Sequence, residues 1–227
     1  MSYNMTNVLG IIFANSHEEC IPELSANRTM ASIPFGGRFR LIDFHLSNMV
    51  NSGMTCVGVI TNSNYKSLID HIGSARQWDL ARTDGGLTIL PPYGRTDSGL
   101  YTGKLEAIRG ALGYITKSPC EYVAITDCNM VYNADFLKLT EAHIESGADI
   151  TCAAVNAEFT ASETADSIIF NAGGNGRVKE TIINCARAGN YKMSLNVFLL
   201  KKQLLIDLVT DLIPKGKLNF ARDILQD

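Results

Sequence analysis

The sequence lacks a surplus of positive charge: 20 Lys and Arg stand against 23 Asp and Glu, a net charge of -3, in 227 residues. A nucleic acid or an anionic lipid surface therefore has no basic footprint to bind, and Arg38 with Arg40 is too small a cluster to supply one. No long apolar run is present and no basic segment precedes an apolar one, so the chain is expected to be neither membrane-spanning nor secreted, with the cytoplasm as its compartment. Cysteines number six, with no CxxC pair and no zinc-ligand spacing among them. Several lie in apolar runs, and all are expected to be reduced core thiols. The P-loop, the HExxH pair and the Ser-His-Asp signatures are missing too. The four histidines, His17, His45, His71 and His143, stand isolated; His45 suits a structural hydrogen bond better than a base.

What is present is a hydrophobic content of 46%, enough for one large domain over residues 1–227. Short apolar runs alternate with segments of helical period. The runs 8–14, 56–61, 87–90 and 122–126 read as strands; 41–53, the stretch SLIDHIG, 104–115 and 135–145 read as helices, the last capped by Asn133. From ITCAAV (150–155) onward the pattern turns to strands: SIIFN, a GGNG turn at 173–176, VKETII and MSLNVFLL. It returns to helix over 202–213. Residues 91–103 and 160–166 read as loops, and the chain stops at ARDILQD with no closing element. The fold class is α/β: a mostly parallel central sheet with helices on both faces, to which the second half adds hairpin-like strands. Ligands of such sheets sit beyond the carboxyl ends of the strands, which directs attention to 14–20 and 126–130.

The segment SIPFGGRFRLIDFHLSNMVNSGM (32–54) resembles the one that follows the first strand in bacterial and plant glucose-1-phosphate adenylyltransferases, the ADP-glucose pyrophosphorylases, whose pattern is PFGG, a basic residue, RxIDF, SN and NSG. YTGKLEAI (101–108) is similar to that family's YxGTADAI, and VYNADF (131–136) to its IYKMDY. The resemblance implies a Rossmann-like nucleotide-diphospho-sugar transferase domain. The left-handed β-helix that follows this domain in the family has no counterpart in the 227 residues. Phe35, Leu41, Ile42 and Leu46 are expected to pack in the core and Gly36 and Gly37 to turn, so the segment speaks for the fold and not for the reaction.

Active members join ATP and glucose 1-phosphate, releasing pyrophosphate, and need phosphate-cradling amides, cations and magnesium. Their loop LAGGxGTRLxxLTxxRAKP, counted back without gaps from Arg28, puts its glycines on Asn15, Ser16 and Glu18. Its Thr-Arg pair falls on Glu19 and Cys20, and its RAKP lysine on Met30. Asn15 and Ser16 are each able to imitate one left-handed glycine conformation, but Glu18 and Glu19 bring negative charge. A carboxylate about 4 Å from a phosphate is unfavourable by up to about 4 kcal/mol near a surface, and each lost charge-assisted hydrogen bond removes roughly 1.5–3 kcal/mol. The magnesium-holding aspartate of GDHIYKMDY falls on Asn129, an amide that should bind magnesium poorly; Asp127, one pleat back, is the possible replacement. The second metal carboxylate is expected beyond residue 227. GTAD becomes Gly103-Lys104-Leu105-Glu106, and no lysine stands within 181–187 for the glucose phosphate.

These departures, set against the resemblance, imply the D-type regulatory subunit of that family, a degenerate partner of a catalytic paralogue in a heterotetramer of glycogen biosynthesis, with no cofactor assigned to it and magnesium belonging to the active members. Arg38 and Arg40 are candidates for a sugar-phosphate effector. Two alternatives stand: an active adenylyltransferase, or related sugar nucleotidyltransferase, with altered ligands, and a free-standing sensor of a sugar phosphate or nucleotide monophosphate. The sensor would use Arg28, Arg38 and Lys104 as phosphate contacts; Lys104 and Arg187 also read simply as solvated surface cations.

Overall fold

A computed structural model describes residues 4–92 and 101–226. Its strands and helices are β1 (Val8–Phe13), α1 (Pro22–Ser25), β2 (Pro34–Phe35), β3 (Phe39–Arg40), α2 (Leu41–Asn51), β4 (Cys56–Ile60), α3 (Lys66–Ile72), β5 (Gly86–Leu90), α4 (Lys104–Lys117) and β6 (Tyr122–Asp127). There follow α5 (Phe136–Ser146), β7 (Ile150–Phe159), α6 (Ala161–Thr164), β8 (Ile168–Ala172), β9 (Val178–Ile183), β10 (Gly189–Lys201) and α7 (Lys202–Leu212). One eight-stranded sheet has the order β5-β4-β1-β6-β10-β8-β9, with β7 also paired to β10. The β5, β4, β1 and β6 strands are parallel and β10 runs antiparallel to β6. The expected α/β class, with its mostly parallel sheet, is the observed one.

Alternation along β1 shows how both faces are filled. Leu9, Ile11 and Phe13 point into the core shared with Leu105 and Ile108 of α4 and Leu205 of α7, whereas Val8 and Ile12 join Ile42 and Leu46 of α2 on the other face. Gly10 belongs to the second face, and a Cβ there would lie 2.6 Å from Met49 Sδ, so α2 crosses β1 where only hydrogen stands.

Several local expectations need correction. The cap of α5 is Asp135, not Asn133: Asp135 Oδ1 accepts the amides of Leu137 (3.0 Å) and Lys138 (3.2 Å). An Asp135→Ala change should therefore lower stability by about 1 kcal/mol, read as a shifted urea midpoint at unchanged slope. The 160–166 segment is not all loop, because Thr160 and Glu163 form a capping box that starts α6. Residues 93–100 of the 91–103 loop lie outside the described residues. Phe35 is 47% exposed rather than in the core, since β2 and β3 form a small separate hairpin on which Phe35 meets the Phe44 ring edge-on at 5.4 Å. Ala221–Leu225 makes a π-helical turn instead of ending without structure, and the Phe220 ring packs tilted against Phe198 with centroids 5.2 Å apart. Cys56, Cys120 and Cys128 are buried free thiols as expected, but Cys20 is exposed.

Candidate functional site

Parallel strands put their carboxyl ends on one edge, and register pairs Phe13 directly with Asp127. The cleft above that edge has a volume of about 640 Å³, and its far wall is the 218–222 tail and the Asp166–Ile168 segment. Among the residues expected at the site, Asn15, Ser16, Gly103, Lys104 and Asp127 line it. Arg28, Arg38, Arg40 and Glu18 do not. Arg40 Nη1 donates to Ser67 O (2.5 Å) and Oγ (2.7 Å), the Arg38 guanidinium lies 5.0 Å over the Phe39 ring, and Arg28 is half-buried elsewhere.

The loop after β1 holds itself in shape with side chains. Asn15 Oδ1 accepts from the Asn62 amide (2.7 Å), and its Nδ2 donates to Ser63 O (2.9 Å) and to Glu18 Oε1 (2.8 Å). One amide thus joins the β1 and β4 loops, and none of its polar atoms is left for a ligand. Glu18 is drawn under the loop by the same contact, and burial raises its pKa despite the Asn15 hydrogen bond. Only Glu19 of the acidic pair lines the cleft. The left-handed residue of the turn is His17 (φ 64°), rather than Asn15 or Ser16. That conformation turns the imidazole back over the strand ends.

At the centre stands Asp127, 1% exposed. Its Oδ2 accepts from Lys104 Nζ at 2.7 Å and from His17 Nε2 at 3.1 Å. Burial opposes ionisation of Asp127, but the Lys104 ammonium and the His17 ring outweigh it and hold the carboxyl at about 2. Burial likewise opposes charging His17, and Asp127 with Asp166 outweighs it, raising the imidazole pKa. Lys104 opens α4, where the helix dipole disfavours a cation. The buried carboxylate and the face of Phe13, 5.1 Å below the ammonium, offset that. Gly103 before it is required by crowding: a Cβ would lie 2.5 Å from Leu218 O.

His17 continues outward. Its Nδ1 lies 2.7 Å from Asp166 Oδ2, which also accepts from Cys20 Sγ at 3.0 Å. Partial desolvation and then the neighbouring carboxylate push the Cys20 thiol up to about 12. Asn196 enters from a bulge in β10, where the register with β7 shifts between Ser194 and Val197 and φ is +54°. Its Nδ2 donates to Asn129 Oδ1 at 3.4 Å. His17, Cys20, Asp166 and Asn196 were not singled out as site residues by the sequence. Their separations explain why: 149 residues divide His17 from Asp166, and only the His17-x-x-Cys20 spacing was a local signal.

Magnesium, which the family resemblance implies, finds a poor fit. One oxygen in its favour, Asp127 Oδ1, is buried without a hydrogen-bond partner. The other oxygen already faces two cationic groups, and Asn129 presents an amide engaged with Asn196. A hard dication favours several charged oxygens, but Asp127 has its charge internally offset and Asp166, the next carboxylate in the cleft, is engaged by His17 and Cys20. The cations lining the cleft among the described residues are Lys104, His17 and Arg222, and Arg222 Nε donates to Asp223 Oδ1 at 2.9 Å.

Comparison with known proteins agrees with this architecture. Residues 20–169 match the nucleotidyl transferase family. The glucose-1-phosphate adenylyltransferase of Thermomicrobium roseum is 36% identical over 225 residues, covering 97% of this chain and 52% of that protein. The enzyme of the same name from Thermotoga neapolitana is 33% identical over 226 residues, with the same coverage, and that of Bacillus mycoides is 37% identical over 149 residues, covering 65% of this chain and 39% of that protein. The chain spans about half the length of the first two relatives. Among the described residues no helix is long and apolar enough to cross a membrane. With its sheet order, its cleft at the strand ends and these matches, the chain belongs to the nucleotidyl transferase family.

Proposed function

We propose that this chain is a catalytically degenerate, regulatory subunit of glucose-1-phosphate adenylyltransferase, the D-type partner that assembles with a catalytic paralogue in the cytoplasm and adjusts ADP-glucose formation for glycogen synthesis. The observation that carries the reading is the Lys104–Asp127–His17 cluster, in which the strand-end carboxylate is occupied by the protein's own cations at 2.7 and 3.1 Å. A nucleotidyl transfer site needs a carboxylate free to hold a metal and cations free for polyphosphate, and with an amide at Asn129 the replacement is Asp127. Here the two neutralise each other, and the loop that should cradle phosphate spends Asn15 on its own cross-links. The scaffold is kept while the chemistry is closed off, as suits a subunit whose work is done through contact with another. The cleft of about 640 Å³ is large enough for a sugar-phosphate effector.

Co-expression with the catalytic paralogue of the same genome tests the proposal. The expected result is co-purification in a fixed ratio and a catalyst whose substrate dependence shifts when this chain is present. Two proteins that elute separately, with kinetics unchanged on mixing, would overturn it.

A further inference from the structure

Three side chains of different chemistry converge at the mouth of the cleft. His17 Nδ1, Cys20 Sγ and Asp166 Oδ2 all lie within 4.8 Å of one another, the first two each within hydrogen-bond reach of the same carboxylate oxygen at 2.7 and 3.0 Å. Nitrogen, sulfur and a single carboxylate are not a magnesium set. They are the donors that zinc and its neighbours among the transition metals select. We propose that these three residues form a zinc-type metal site, distinct from the magnesium position expected around Asn129.

The other ring nitrogen of His17 supports the same site. A metal-ligating histidine ordinarily donates its free N–H to a carboxylate, which fixes the tautomer and makes the metal-bound nitrogen a better donor. His17 Nε2 lies 3.1 Å from Asp127 Oδ2, and Asp127 is itself anchored by Lys104 at 2.7 Å. The Lys104–Asp127–His17 chain therefore aims Nδ1 outward at Cys20 and Asp166 with its orientation set in advance. The left-handed backbone at His17 keeps the ring there (φ 64°).

Geometry and charge both permit the ion. Metal–ligand distances of about 2.0–2.3 Å in a tetrahedron separate donor atoms by roughly 3.2–3.7 Å. The three atoms need only part slightly from their present hydrogen bonds, and Cys20 and Asp166 are exposed enough to move while His17 stays fixed. The ion takes the place of the two protons that now point at Asp166 Oδ2, one from Nδ1 and one from Sγ, and these leave to solvent. A dication replacing two protons leaves the total charge of the cluster as it was, so the desolvated surroundings gain no new charge. Three protein ligands leave the fourth position to water on the cleft side, where Ser16 and Asn196 also stand.

Titrating the metal-stripped, reduced chain with cobalt(II) and then zinc tests this on the protein alone, so the result is independent of whether any partner subunit binds. The expected result is one metal per chain and a thiolate-to-cobalt charge-transfer band that zinc abolishes. Cys20→Ser should remove the band and Asp166→Asn should weaken binding at least about tenfold, both with unchanged circular dichroism, while Cys185→Ser leaves the band intact. Asp127→Asn, acting through His17, should weaken zinc binding by about 10- to 100-fold while keeping the charge-transfer band at saturating cobalt. A wild-type chain that gives no band, or a band that survives in Cys20→Ser, overturns the site.

Discussion

Replacing Lys104 by methionine is expected to lower the stability of the chain by about 3 kcal/mol at pH 7, a large change for one side chain at a helix start. Asp127 is 1% exposed and the Lys104 side chain 19%, so removing the ammonium leaves a carboxylate in the interior with His17 as its remaining counter-charge. Breaking one arm of a buried pair strands the other charge, and that penalty exceeds what the pair contributed. The pH dependence gives the cause away. In the native chain the Asp127 carboxyl is held at about 2 against an ordinary 3.8, so its stabilisation is present above pH 4 and is lost as pH falls through 2. In the variant the folded-state value rises because desolvation is no longer offset. The difference between the two proteins should thus be full at neutral pH, begin to shrink as pH falls through the variant's raised value, and close toward pH 2, where Asp127 is protonated in both. Urea unfolding of both proteins at pH 7 and at about pH 3 measures this. If Lys104 were instead a solvated cation waiting for a phosphate, the loss would stay within about 1 kcal/mol at both pH values.

The Lys104 environment also marks where sequence reading stopped. The continuous apolar run 8–14, the helical period of 41–53 and the strand-rich second half are local signals, and they located most strands and helices within a residue or two, although β7 runs on past residue 155 to Phe159 and β10 begins at Gly189, ahead of the apolar stretch that marked it. The strand-end rule pointed to 14–20 and 126–130, which hold Asn15, Ser16 and Asp127, and the family resemblance pointed to Gly103 and Lys104; all five line the cleft. What no window of sequence contained was the pairing. Lys104 looks like an exposed cation at the start of a helix until β6 brings Asp127 within 2.7 Å, and His17 looks isolated until the chain returns with Asp166. Phe35 reads as core by its type but sits on a two-residue hairpin with no sheet to cover it. Asn196 has a positive φ because a bulge in the longest strand demands it, and a bulge leaves no periodic trace in a mostly apolar run. Composition and period determine which segments lie on which layer; which charged groups meet across layers is set by topology.

The isolated chain should form ADP-glucose from ATP, glucose 1-phosphate and magnesium at least about ten-thousand-fold more slowly than a full-length enzyme such as that of Thermomicrobium roseum, with which it shares 36% identity. Two deficits follow from the one Lys104–Asp127 pair and compound each other. Loss of a preorganised charge donor on the reacting phosphate typically lowers turnover by about 10²–10³, and loss of a correctly held metal removes the ion that steadies both attacking and leaving oxygens. Here Glu19 lines the cleft beside Ser16, while Lys104 is turned to Asp127. A single repair should not rescue the chain: Asn129→Asp adds a carboxylate, yet Asp127 remains held by its two cations, so the rate should stay within twofold of the parent. Product formation followed by chromatography at saturating substrates is the measurement. Turnover within a hundredfold of the full-length enzyme would mean that Lys104 leaves Asp127 when nucleotide arrives, and that the internal ion pair is a resting state of a working site instead of its replacement.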